Sequence, residues 1–188
     1  MAPNTWPGWE FVKPLGKGSY GYVYEIKKID FGYEYHSALK VIEIPQDDYE
    51  VTVLLEGGVR NTDSADRYFY QQAETILNEV QLMASLQGVT NIVSYEDHMI
   101  IPKEESIGYY ILIRMELLTP IGVFMENYPV NDELIVKLGS DICNALAYCE
   151  SNNIIHRDIK PGNILSIDSE ISSWVILELL EVCPRQIR

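Results

Sequence analysis

The chain has 188 residues, 47% hydrophobic and 22% charged, which is enough for one large domain or two small lobes with a real core. Its 28 acidic against 14 basic residues give a formal charge of -14. That balance excludes non-specific binding to nucleic acid or anionic lipid, and any phosphate ligand must be held by local groups working against the global field.

No apolar run approaches the roughly 18 residues that a membrane span requires. The opening MAPNTWPGWEF lacks the basic and apolar regions of a secretory leader. The three cysteines, Cys143, Cys149 and Cys183, form no C-x-x-C motif and point to reduced thiols in a cytoplasmic protein. Cys143 and Cys149 read as small buried residues.

In chain order, WEFVKPLGKGSYGYVYEIKKI holds two β-rich runs joined by a Gly-rich turn, and EYHSALKVIEI is a third run. The polar, acidic stretch 45–66 reads as a long loop or insertion. From about 67 to 86 the period becomes helical, with Ile76, Val80, Met83 and Leu86 on one stripe and Gly88 as the stop. NIVSYEDHMII and GYYILIRMELL follow as two strands. The spacing then predicts a helix over 131–151: Asn131 caps it, Asp132 and Glu133 suit its positive end, and Leu134, Leu138, Ile142, Ala145 and Cys149 form its apolar stripe.

Gly16, Gly18 and Gly21 form a G-x-G-x-x-G pattern, in which bare backbone can approach phosphate oxygens and offer them N–H groups. A dinucleotide site needs a helix directly after these glycines. Here the strand-like YVYEIKK follows, so the pattern reads as a flap over a nucleotide. Taken alone, without that strand, the pattern would read as an ordinary hairpin turn. Lys40 lies inside the apolar run ALKVI, where a lysine either snorkels to solvent or aims its charge at a ligand with a carboxylate to hold it. Glu79 and Glu74 are both candidates for that carboxylate.

IIHRDIKPGNIL places His156, Arg157, Asp158, Lys160 and Asn163 within eight residues, after a helix and before an apolar run. This spacing matches the H-R-D-x-x-x-x-N catalytic loop of protein kinases. With GKGSYG, ALKVI and NEVQLM in the family's order, the chain resembles a protein kinase from about Trp9 to about Asp168. The resemblance implies an α+β fold: a small lobe of antiparallel sheet plus one helix over 1–118, with an insertion at about 45–66, and a partial, mainly helical large lobe over 119–170.

It also implies site residues, with ATP and Mg²⁺ as cofactors. Gly16, Gly18 and Gly21 would cover the phosphates, Val23 would pack on adenine, and Ala38 would line its pocket. Lys40, paired with Glu79, would contact the α- and β-phosphates. Met115 would guard the back of the pocket, while Glu116 and Leu118 offer backbone groups to adenine. Asp158 would take or orient the proton of the substrate hydroxyl, Lys160 would offset phosphoryl charge, and Asn163 would bind Mg²⁺. The DIKPGN form is similar to serine/threonine kinases and implies a protein substrate with Ser or Thr. The long stretch between Lys40 and Glu79, with TNIVSYEDHMIIP, resembles bacterial members.

The pattern breaks after Asn163. The family's Asp-Phe-Gly is due about a dozen residues on, near Val175, yet SSWVILELLEVC stands there and no aspartate follows Asp168. Read one base over with permitted synonymous codons, ISSWVILELLEVCPR becomes Phe-Lys-Leu-Gly-Asp-Phe-Gly-Val-Ala-Arg-Ser-Leu-Pro-Lys. The Gly before Asp is forced, because Trp174 has one codon and every valine codon begins GT. Residues 171–188 are therefore expected to be an out-of-frame tail, against a natural C-terminal strand or helix. Little transfer activity is expected, and the helix over 131–151 is expected to lack large-lobe partners for its stripe. The alternative is a non-catalytic ATP-binding or docking module.

Overall fold

The computed structural model describes residues 3, 6–18, 21–57, 62–156, 158–166, 174–176 and 181–182. They divide between two compact units, one of Met1–Val80 with Glu96–Leu117, the other of Gln81–Tyr95 with Leu118–Arg188. The expectations for Cys183 and for most of the tail lie outside the described residues.

The first unit is built on a sheet with β1 (Glu10–Gly18), β2 (Gly21–Asp30) and β3 (Tyr33–Ile44), followed by helices α1 (Asp48–Glu56) and α2 (Thr62–Ser85), then β4 (Tyr95–Pro102) and β5 (Tyr109–Met115). The sheet has five strands in the order β1-β2-β3-β5-β4. Side chains alternate across it, so register decides which residues share a face. Ile26, Leu39, Val41 and Leu112 turn to one side and form a core with Trp6. The other side carries Ala38, Lys40 and Ile42, paired in register with Met115, Ile113 and Ile111.

Two turns shape this sheet. Trp6-Pro7-Gly8-Trp9 closes with the Trp9 N–H donating to Trp6 O at 2.8 Å, and Gly8 has φ +79°. Pro then Gly in the central positions is the type II preference. The turn sets both indoles against Arg114, whose guanidinium lies 5.5 Å from the Trp6 ring and 4.8 Å from Trp9. At the β2–β3 tip, Phe31 and Gly32 both have positive φ, 48° and 84°. That backbone suits the strand twist but favours Asn-Gly, and Phe31 is 98% exposed.

The stretch 45–66 is not one long loop. Asp47 accepts the Glu50 N–H at 3.0 Å and starts the nine-residue α1. The signal was Asp-x-x-Glu, a capping pattern, masked by β-branched residues within the helix. Helix α2 also begins earlier than its periodicity suggested, because Ala65, Phe69 and Ala73 extend the buried stripe towards its start. Tyr109, on the Lys40 side of the sheet, donates to both oxygens of Asp66 on α2 and meets the Tyr70 ring edge-on. These contacts fix α2 to that side.

The second unit contains β6 (Thr119–Pro120), α3 (Ile121–Asn127), α4 (Asp132–Ser151), β7 (Ile154–Ile155), a 3-10 turn (Pro161–Asn163), β8 (Ile164–Ser166), β9 (Trp174–Ile176) and β10 (Glu181–Val182). Strands β6, β8 and β9 form one small sheet, and β7 pairs with β10. Helix α4 starts where its sequence predicted, with Asn131 Oδ1 accepting the Leu134 N–H at 2.8 Å.

Its apolar stripe does not wait for absent helices. Ala145 and Cys149 pack with Leu86, Ile92 and Ile154. Leu134 packs with Ile121, Phe124 and Ile164. The large apolar residues of this helix left outside are Ile135, Val136 and Tyr148, at 54%, 68% and 39% exposure, off that stripe. Cys149 is buried, as expected, whereas Cys143 is exposed because it falls beside the stripe and not on it.

Candidate active site

The candidate residues fall into two groups, one in each unit. In the first unit, the ladder between β2 and β3 opposes Gly21 to Ile42, Val23 to Lys40 and Glu25 to Ala38. The β3–β5 ladder sets Ala38 against Met115. Opposed residues share a face, so Gly21, Val23, Ala38, Lys40 and Met115 all lie on the side where α2 is fixed. A single register thus assembles five of the candidates.

Lys40 is 6% exposed, and a buried ammonium is costly without an opposing charge. On α2, Glu79 is half-buried with Oε2 out of solvent, while Glu74 is exposed. Burial therefore favours Glu79 over Glu74. Ala38 and Met115 are buried, Val23 is half-buried, and Glu116 is half-buried after the end of β5; Leu118, also half-buried, already belongs to the second unit.

The glycines differ from one another. A Cβ at Gly16 meets nothing within 4 Å. A Cβ at Gly21 would overlap the carbonyl oxygen of Val41, so this glycine is demanded by strand packing whatever covers the sheet. Gly18 pairs with Gly21 at the end of the β1–β2 ladder.

In the second unit, Asp158, Lys160 and Asn163 meet. Asn163 Nδ2 donates to the Asp158 backbone oxygen at 2.9 Å and to its carboxylate Oδ2 at 3.0 Å, and Lys160 Nζ donates to the same Oδ2. The 3-10 turn makes this reach possible by carrying the chain back, with the Asn163 N–H on Lys160 O at 2.9 Å. Asn163 is 6% exposed, while the Asp158 side chain stays 43% exposed. The result is an accessible carboxylate oriented from below by a buried amide and flanked by a cation.

His156 had no assigned role in the sequence, and the structure supplies one. It is buried, and the Asp158 N–H donates to its backbone oxygen at 2.9 Å, with Nδ1 a longer acceptor at 3.4 Å. Burial lowers its pKa, against the pull of the Asp158 charge. Nε2 has no hydrogen-bond partner among the described residues. His156 thus supports the backbone that presents Asp158.

Comparison with known proteins decides the family. The model of the protein kinase domain matches residues 9–173. The chain belongs to the protein kinase domain family. Similar curated kinases include calcium-dependent protein kinase 5 of Plasmodium berghei, 30% identical over 85% of this chain and 23% of the relative. Cyclin-dependent kinase B1-1 of Arabidopsis thaliana is 27% identical over 87% of this chain and 50% of its own length. Aurora/IPL1-related protein kinase 2 of Caenorhabditis briggsae is 29% identical over 83% and 43% respectively. The chain therefore spans between about a quarter and a half of these kinases' lengths. Kinase domains in general transfer phosphoryl groups from ATP with Mg²⁺. The five-stranded sheet with its helices fits the expected small lobe and partial helical lobe. No helix among the described residues is long and apolar enough to cross a membrane.

Proposed function

We propose that this chain carries the nucleotide-binding and catalytic-loop parts of a serine/threonine protein kinase of bacterial type, and that it binds ATP but transfers phosphate poorly. The observation that carries the reading is the grip of Lys160 and Asn163 on the Asp158 carboxylate. A carboxylate so oriented, and accessible, can take the proton of a Ser or Thr hydroxyl as it attacks. Lys160, two residues on, offsets charge on the moving phosphoryl group. Its position within DIKPGN supports the serine/threonine class.

In the first unit, Lys40 is the cation for the α- and β-phosphates and Glu79 its counter-charge. Gly16 and Gly18 bring bare backbone to the phosphates. Val23, Ala38 and Met115 supply the apolar lining for adenine, and Glu116 its backbone partner; Leu118, the other candidate, belongs to the second unit. For Mg²⁺ the residues fit in part. Asn163 offers a hard amide oxygen, the type of donor Mg²⁺ takes. Among the described residues, however, no group of three His, Cys, Asp or Glu could hold a metal ion. The Asp of Asp-Phe-Gly is the ligand missing from the sequence, so phosphates that bind here are held without the carboxylate that aligns the metal.

The family match stops at residue 173, where the apolar tail begins. This supports the reading of residues 171–188 as an out-of-frame continuation. The β9 strand paired with β8 is what a natural C-terminal strand would give, and it favours the non-catalytic module as the second reading. Coding DNA separates the two: codons 171–185 should spell the Asp-Phe-Gly peptide in the shifted frame, and any other peptide there sinks the frameshift. On the protein, ATP with Mg²⁺ should raise the melting temperature, with no measurable transfer of labelled γ-phosphate to a serine/threonine-rich substrate. Robust turnover by the 188-residue chain, lost in Asp158→Asn, would overturn the impairment.

A further inference from the structure

The side of the sheet that carries Ala38 and Lys40 also carries a run of alternating charge that phosphoryl transfer does not use. Lys13 Nζ lies 3.4 Å from Glu25 Oε2, and Glu25 Oε1 lies 2.7 Å from His36 Nδ1. His36 Nε2 lies 2.8 Å from Glu34 Oε1, and Glu34 Oε2 accepts from Lys27 Nζ at 3.0 Å. Lys13 belongs to β1, Glu25 and Lys27 to β2, and Glu34 and His36 to β3, so the run crosses three strands.

His36 offers both ring nitrogens to carboxylate oxygens. A carboxylate accepts and a neutral imidazole has one N–H, so both bonds require the imidazolium. The register sets a cost against it. Lys27 stands directly opposite His36, a pairing of like charges that is unfavourable unless anions lie between them. Glu25 and Glu34 are those anions. Their hydrogen bonds, that of Glu34 foremost, raise the His36 pKa above its ordinary 6.5. Lys27, then His36, holds the Glu34 carboxyl low.

The two carboxylates are not equivalent. The Glu25 side chain is 11% exposed and that of Glu34 46%. When His36 loses a proton, one carboxylate must face a nitrogen lone pair. Glu34 can turn into water at small cost, whereas Glu25 would be left buried with Lys13 alone, itself 62% exposed. The remaining proton therefore belongs on Nδ1.

We propose that His36 is a proton-operated link that ties β1, β2 and β3 together while charged, and that on deprotonation it keeps Glu25 through an Nδ1–H tautomer and releases Glu34. The groups facing it are Glu25 and Lys27 from β2 and Glu34 from its own strand, with Lys13 of β1 one step removed. Because the pKa is raised on folding, this stabilisation is full below about pH 6.5, the unfolded value. It is lost as pH rises through the folded value.

The test is a pH titration of the ¹⁵N-labelled full chain, following long-range histidine proton–nitrogen correlations, with His36→Gln identifying the signals. Expected are two protonated nitrogens at pH 6.5, a midpoint above 6.5, an Nδ1–H neutral form, and a lower midpoint in Glu34→Gln. A midpoint at or below 6.5, or the commoner Nε2–H form, overturns the proposal. Thermal melts give a second arm. The wild-type melting temperature should fall more between pH 6.5 and 9 than that of His36→Gln, and parallel curves would equally overturn it.

Discussion

Lys40 and Asp158 are held in place by opposite means. Lys40 sits mid-strand, 6% exposed, with its direction set by ladders to β2 and β5. Asp158 sits in a loop, its side chain 43% exposed, and is held by hydrogen bonds from Asn163 and Lys160. The first is positioned by backbone, so it depends on strand packing far from its own charge. The second is positioned by side chains, so it can be disabled with little damage to the fold. The difference teaches where a substitution reports on chemistry and where it reports on folding.

Three substitutions press on that contrast. The largest effect belongs to Gly21→Ala, whose methyl would overlap Val41 O. Strand separation there should cost about 3 kcal/mol, as overpacking does, read as an earlier denaturant midpoint together with weakened ATP binding. A change below a few tenths of a kcal/mol would show that backbone packing does not govern this face.

Asn163→Ala comes next. It removes two bonds to Asp158, and stability should fall by about 1–2 kcal/mol, the scale of a lost hydrogen bond to a charged group. ATP affinity measured without Mg²⁺ should stay near wild type. If nucleotide binding without metal collapses as it does in Gly21→Ala, the two positions are not held by separate means. The smallest effect is that of Asn131→Ala, which deletes the cap of α4. About 1 kcal/mol should be lost, with no change at either group of site residues, as a hydrogen-exchange comparison of the α4 first turn and the sheet can show.

The same contrast explains what was legible in the sequence. Strand alternation in EYHSALKVIEI and the stripe from Leu134 to Cys149 are repeated signals, and both elements formed where the pattern placed them. The set of Asp158, Lys160 and Asn163 was legible because its members are close in the chain and meet through one short turn. The helix α1 was missed because a single capping pair had to outweigh Val51, Thr52 and Val53, which read as extended. The partners of the α4 stripe were missed because Leu86, Ile92, Phe124 and Ile154 are scattered in sequence and share no period. The Glu25–His36–Glu34 contact escaped for a related reason. Its members are ordinary surface residues until register brings them onto one face.

Phe31 leaves a practical opening. A bulky residue in left-handed backbone gives up roughly 1 kcal/mol, and at 98% exposure it gains nothing back by packing. Phe31→Asn would install the dipeptide that this turn geometry prefers and would remove an adhesive ring from the surface. A sturdier, more soluble parent could then host the disruptive variants, widening the range in which each can be measured while still folded.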